Sequence, residues 1–296
     1  MTNKRYSMYQ KIFLSLAAVA LLASCSVKED RMKCVAPVTV RLSGFSVSQE
    51  DLPDTRATVS DYNGVKVLTL AFYDGASEVY KVTQDKDDPT TFSTFGEFST
   101  TLPLGSYTMV ALAYVLYDDD ALTLTSPTQA EYTGGCVRET FSVTQAVNVT
   151  STQTLNLSAT LDRTVSCLKV ISTDGKTANV SNVRMTFSAG GKRFSPSTGL
   201  ATVNTGSESI VRVSASEGET STSIGYVFLT SDEQTMDVTI ETLDADGNTI
   251  LSQTVTDVPF KRNRRTKLTG ALYSANASAG SFQLNTEWVA DYNDTF

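Results

Sequence analysis

The sequence predicts an all-β protein. Apolar residues alternate with polar ones over short runs rich in Thr, Ser and Val, turn residues divide those runs, and no segment carries a sustained 3.6-residue apolar stripe. A second series of such runs begins near residue 165. With 296 residues, 41% of them apolar, this places two domains side by side. The expected organisation is a leader at 1–24, an N-terminal domain at 25–160 and a C-terminal domain at 161–296.

The leader has the order of a bacterial lipoprotein signal peptide. Lys4, Arg5 and Lys11 form a cationic start, residues 12–23 an apolar stretch with one Ser, and Leu22-Ala23-Ser24 puts small residues just ahead of Cys25. The apolar stretch falls short of the roughly 20 residues a spanning helix needs, so attachment is expected through lipid on Cys25. Ser26-Val27-Lys28-Glu29-Asp30 resembles the acidic tag that sends lipoproteins of Bacteroidetes to the outer face of the outer membrane.

A first strand is expected over 35–47. Val38, Val40 and Leu42 alternate, and Gly44 shifts the phase so that Phe45 and Val47 continue, as a bulge does. A polar tract, 48–64, follows. Residues 65–73 are apolar on both faces, Leu68, Leu70 and Phe72 against Val67, Ala71 and Tyr73, as in a central strand buried on both sides. Further strands are expected at 78–82, 95–102 and 107–117, with Pro103-Leu104-Gly105 as the turn between the last two. Leu155, Leu157, Ala159 and Leu161 alternate before the second series: 165–171, 183–187, 210–215, 224–230, 236–243, 249–255, 266–273 and 282–289. Asp246-Gly247 is a hairpin signal. Asp244, Asp246 and Asn248 open like a calcium loop, but Val255 stands where the closing Glu belongs, so the hairpin is preferred.

Composition excludes several functions. The formal charge is -8, and losing the three leader cations makes it about -11, which disfavours nucleic acid or another polyanion as partner. The chain has no histidine, so it lacks the commonest general base and the commonest zinc ligand. No nucleophile motif and no metal spacing stands out; neither an enzyme nor a cofactor is expected. Of the four cysteines, Cys34, Cys136 and Cys167 remain once Cys25 is lipidated; a Cys136–Cys167 bridge and buried free thiols are both open. Lys261, Arg262, Arg264, Arg265 and Lys267 are read as a solvated connection, with a subunit or glycan contact as the alternative. Arg56-Ala57 sits inside the polar tract, where proteases cut.

Taken together, the lipoprotein leader, the first strand, Asp54-Thr55-Arg56-Ala57, Leu70-Ala71-Phe72-Tyr73-Asp74, Leu102-Pro103-Leu104-Gly105-Ser106-Tyr107 and the segment Val258 to Gly270 followed by Trp288 resemble the fimbrillin, or type V pilin, family of Bacteroidales. The resemblance spans nearly the whole chain. It implies two transthyretin-like β-sandwich domains in tandem and a surface lipoprotein of the outer membrane. It also implies removal of the first strand by an arginine-specific protease at Arg56-Ala57, and replacement of that strand by one from a neighbouring fimbrial subunit. Anchor members of the family escape cleavage.

The expected function is therefore that of a fimbrial subunit or fimbrillin-like adhesin, with other subunits, the protease, the membrane and a host or bacterial surface ligand as partners. The strand at 282–290 is the candidate donor: Phe282, Leu284 and Trp288 fall on one face and Gln283, Asn285 and Glu287 on the other. Equally open is that Trp288 completes the core of its own half. A glycan-binding surface lipoprotein is the alternative class, with Tyr114, Tyr117 and Tyr132 as candidate sugar platforms, although core or edge aromatics are the preferred reading of these three.

Overall fold

The computed structural model describes residues 38–47, 57–62, 64–116, 120–151, 153–274 and 282–285. All lie in one compact unit, and apart from a single 3-10 turn at Pro89–Thr91 the regular structure is β. The first half contributes β1 (Val38–Leu42), β2 (Ser46–Val47), β3 (Ala57–Thr58), β4 (Val67–Asp74), β5 (Ser77–Asp85), β6 (Phe98–Leu102), β7 (Gly105–Tyr114), β8 (Leu122–Ser126), β9 (Gln129–Tyr132), β10 (Thr140–Val149), β11 (Leu155–Leu157) and β12 (Thr160–Arg163). The second contributes β13 (Ser166–Ser172), β14 (Asn182–Phe187), β15 (Arg193–Phe194), β16 (Ser207–Arg212), β17 (Thr222–Val227), β18 (Glu233–Leu243), β19 (Thr249–Lys261), β20 (Arg265–Gly270) and β21 (Gln283–Asn285).

Two sandwiches result. In the first, a three-stranded sheet, β11-β1-β6, packs on a seven-stranded sheet, β3-β2-β12-β10-β7-β4-β5. Val40, Leu42, Leu68, Phe72, Met109 and Phe141 meet in the core between them. In the second, β17-β13-β20-β21 packs on β16-β14-β18-β19 around Leu168, Met185, Phe187, Ile240 and Phe260.

A third core lies on the other face of the seven-stranded sheet. There β8, β9 and β15 form a sheet drawn from both halves, and Tyr73, Leu112 and Tyr132 meet Val165, Phe194 and Phe228. The Phe194 and Phe228 rings stack with centroids 4.2 Å apart. This explains the two-sided apolar character of β4: Leu68, Leu70 and Phe72 face the first core, and Val67, Ala71 and Tyr73 face the third. The central strand expected at 65–73 is thus present, buried from Val67 to Tyr73.

Gly44 does more than shift a phase. With φ at +74, a backbone region that glycine enters at little cost, it turns the chain out of one sheet and into the facing one. The expected bulge is a crossover between sheets, and Phe45, buried at the crossing, plugs the core beneath it. The Asp246-Gly247 hairpin joins β18 to β19, with Gly247 at φ +84 and the Asp244 carboxylate accepting from the backbone N–H groups of Asp246 and Asn248. No strand was expected for β8, β9, β10 or β15; β10 pairs with β7 along its whole length.

Candidate functional site

The first strand has an unusual place in the sheet. β1 runs antiparallel to β6, from Val38 opposite Leu102 to Leu42 opposite Phe98, and parallel to β11, from Val40 opposite Leu155 to Leu42 opposite Leu157. β6 and β11 do not pair with each other, so among the described residues β1 alone joins them. Val38, Val40, Leu42 and Phe45 are all at most 1% exposed. Burying four such side chains contributes on the order of 6–12 kcal/mol before ordering costs. Past Gly44 the same segment enters the opposite sheet, where β2 lies between β12 and β3. Removing the chain ahead of residue 57 would empty the middle of one sheet and strip β12 and β3 of their shared partner.

Arg56 lies outside the described residues; Ala57 opens β3, opposite Val47. The part of the polar tract after it is structured. Val59 is buried and its N–H donates to the Phe45 carbonyl at 3.1 Å, and the Thr58 hydroxyl donates to Asp61 at 2.6 Å.

Tyr62, at the end of that turn, enters a buried polar cluster at the junction of the two halves. Its hydroxyl donates to Glu139 Oε1 at 3.0 Å and accepts from Arg163 Nη2 at 3.2 Å. Arg163, 2% exposed, also donates through Nε to Glu139 at 2.9 Å and through Nη1 to Asn263 Oδ1 at 3.0 Å, and its guanidinium lies 4.9 Å from the Phe141 ring centroid. The cluster is the kind of fully partnered network that a buried charge requires. Burial, and next the Glu139 charge, push the Tyr62 phenol up to about 12. Nothing in the sequence marked Arg163 as buried, because its partners stand 24, 100 and 101 residues away.

Asn263 belongs to the cationic run. It sits at φ +57, a conformation Asn tolerates, and turns the chain from β19 into β20. The neighbouring cations are matched by acids of the facing turn: Lys261 with Glu233 at 2.8 Å and Arg262 with Asp232 at 2.9 Å. Only Arg262 and Arg264 of the five cations lie in the connection itself; Lys261 ends β19, Arg265 and Lys267 belong to β20, and all five are half-buried where a solvated run is expected.

Of the other candidates, Cys25, Cys34, Tyr117 and Trp288 lie outside the described residues. Phe282 is half-buried against the second core, whereas Leu284 is 40% exposed on β21, the sheet edge paired with β20. The two do not share one buried face. Tyr114 and Tyr132 are buried in the third core and offer no platform for sugar; their rings meet edge to face 6.2 Å apart. Cys136 and Cys167 are free and buried, and burial pushes the Cys167 thiol up to about 11. Among the described residues no group of three or more Cys, Asp or Glu side chains is placed to hold a metal ion.

Comparison with known proteins gives three results. No curated protein matches the chain. Solved structures similar to it include a candidate adhesin of Bacteroides ovatus, at 12% identity and TM-score 0.49 over 79% of this chain and 87% of the other. They also include the fimbrial anchor protein Mfa2 of Porphyromonas gingivalis, at 13% identity and TM-score 0.48 over 84% and 95%. The tip fimbrial protein Mfa3 of the same organism, truncated at its C-terminus, matches at 12% identity and TM-score 0.40 over 84% and 98%. A family profile matches residues 33–295, and on that match the chain belongs to DUF6562, a family of unknown function.

Proposed function

We propose that this chain is a fimbrial subunit or fimbrillin-like adhesin of the cell surface, held to the outer membrane by lipid on Cys25 until a protease cuts between Arg56 and Ala57. Strand exchange then builds the polymer: the lost β1 leaves a slot between β6 and β11, and a neighbour's C-terminal segment, beginning at Phe282 and including Leu284 and Trp288, fills it. The observation that carries this proposal is the position of β1. Among the described residues it is the only link between two strands that otherwise have no partner on that side, and its inward face is wholly apolar. An edge on either side of a vacant slot offers an incoming strand a double ladder of hydrogen bonds.

The test is digestion of the purified mature protein with an arginine-specific protease, followed by N-terminal sequencing and electron microscopy. A new N-terminus at Ala57 with filaments that disappear when residues 282–296 are deleted supports the proposal. Cleavage at Ala57 without polymers, or polymers that survive the deletion, defeats strand exchange.

A second role, that of an uncleaved anchor subunit, draws on the residues after Arg56. Ala57 and Thr58 pair with β2, and Val59 is hydrogen-bonded to Phe45, so the chain beside the bond is held on one side. Resistance of Arg56 under conditions that cut an unfolded control would assign that role.

A further inference from the structure

A cleft of about 770 Å3 opens at the mouth of the first sandwich, where the outer edge of β6 faces the outer edge of β5. The loop between these strands forms one wall. Gln84, 3% exposed, pins it at both ends of the side-chain amide: Nε2 donates to the Glu97 carbonyl at 2.7 Å and Oε1 accepts from the Gly96 N–H at 2.8 Å. Phe92 packs edge-on against Phe95 at 5.8 Å, and Lys86 lies 4.8 Å from the Phe95 ring centroid. The wall is therefore built before any ligand arrives.

The lining combines two kinds of group. Tyr80 and Phe92 are half-buried rings bordering the cleft, and Phe98 lies beneath it. Around them stand Arg41, Glu97 and Asn156, all exposed. Among the described residues the side chains of these three make no hydrogen bond or ion pair. The contrast is with the polar hollow beside Arg163, where Lys261, Arg262, Asp232 and Glu233 are spent on one another. Half-buried rings next to polar groups of both signs with unused donors and acceptors are what a ligand with apolar C–H faces and many hydroxyls needs. The loop walls this open cleft on one side, with Phe92 and Glu97 turned to it.

We infer that this cleft binds a neutral oligosaccharide, stacked on Tyr80 and Phe92 and hydrogen-bonded by Arg41, Glu97 and Asn156. Binding belongs to the uncleaved chain and needs no polymer. It does depend on β1, which supplies Arg41, so a chain that had lost its first strand would lose the site as well.

The test uses the soluble Cys25→Ala chain and saturation-transfer NMR with maltohexaose, cellohexaose, mannohexaose and xylohexaose. At least one is expected to bind saturably, with Arg41→Ala and Phe92→Ala each weakening it about tenfold, or about 1.4 kcal/mol. Arg41 and Asn156 are exposed, so Arg41→Ala and Asn156→Ala keep the fold, and unchanged melting curves confirm it for each variant. Overturning results are the absence of saturable binding by all four sugars, or binding indifferent to Arg41→Ala, Asn156→Ala and Phe92→Ala. Phe92-dependent binding of a synthetic peptide spanning residues 282–296, with none of the sugars, would equally overturn the inference.

Discussion

Phe45 meets the ring of Phe98 edge to face, with centroids 5.9 Å apart and planes at 90°. One ring belongs to the segment ahead of Arg56 and the other to β6, which borders the slot that β1 fills. Such a pair adds to what burial alone contributes.

Phe45→Ala is expected to lower the stability of the intact chain by about 3–5 kcal/mol, since it leaves a cavity where two sheets face each other. Urea unfolding measures this. Leu104→Ala, at a position 37% exposed, should change it by less than about 0.5 kcal/mol.

Arg163→Met leaves Glu139 buried beside Tyr62 without its cation, and is expected to cost about 3–5 kcal/mol. The double variant Arg163→Met with Glu139→Leu should recover much of that loss, because removing both members avoids the unpaired charge. A double-mutant cycle by chemical denaturation gives the coupling; additive effects would contradict the pairing.

Tyr62 sets a pH dependence at the alkaline end. Its phenol titrates at about 12 in the folded chain and near 10 in the unfolded one. The unfolded chain therefore loses its proton first, and stability present below pH 10 should fall as pH rises from about 10 to 12. Tyr62→Phe removes its share of this slope, readable from denaturant midpoints at several pH values.

Asp174 ties down the chain that leads towards β21. Burial disfavours its charge, but the backbone N–H groups of Leu272, Tyr273 and Ser274 donate to it at 2.7, 2.9 and 2.8 Å and bring its carboxyl below the ordinary value. The stability it adds is full above the unfolded pKa of about 3.9 and is lost as pH falls through the lower folded value. Asp174→Ala should accelerate hydrogen exchange at Leu272–Ser274 at neutral pH, and the difference from wild type should vanish in acid.

The parts of this structure legible in the sequence were those where one face decides. Val38, Val40 and Leu42 declare an inward face, β4 declares two, and Asp246-Gly247 declares its turn. β10 was hidden because Thr140, Thr144, Gln145 and Asn148 dilute its alternation, and its position comes from pairing with β7, which no local pattern records. The Arg163 cluster was illegible for a related reason: its members are ordinary polar residues until the two halves bring them together. Tyr114 and Tyr132 could be read as core aromatics, but nothing in their neighbourhood signals the third core that covers them.

That third core has a consequence for how the protein comes apart. A sheet covered on both faces cannot shed one sandwich without wetting the rings of Tyr73, Tyr132, Phe194 and Phe228 together. The two halves are then a single cooperative structure, and calorimetry should find one transition whose van't Hoff and calorimetric enthalpies agree. Pulled from its ends, such a chain would resist as one block up to its yield point and not unfold sandwich by sandwich.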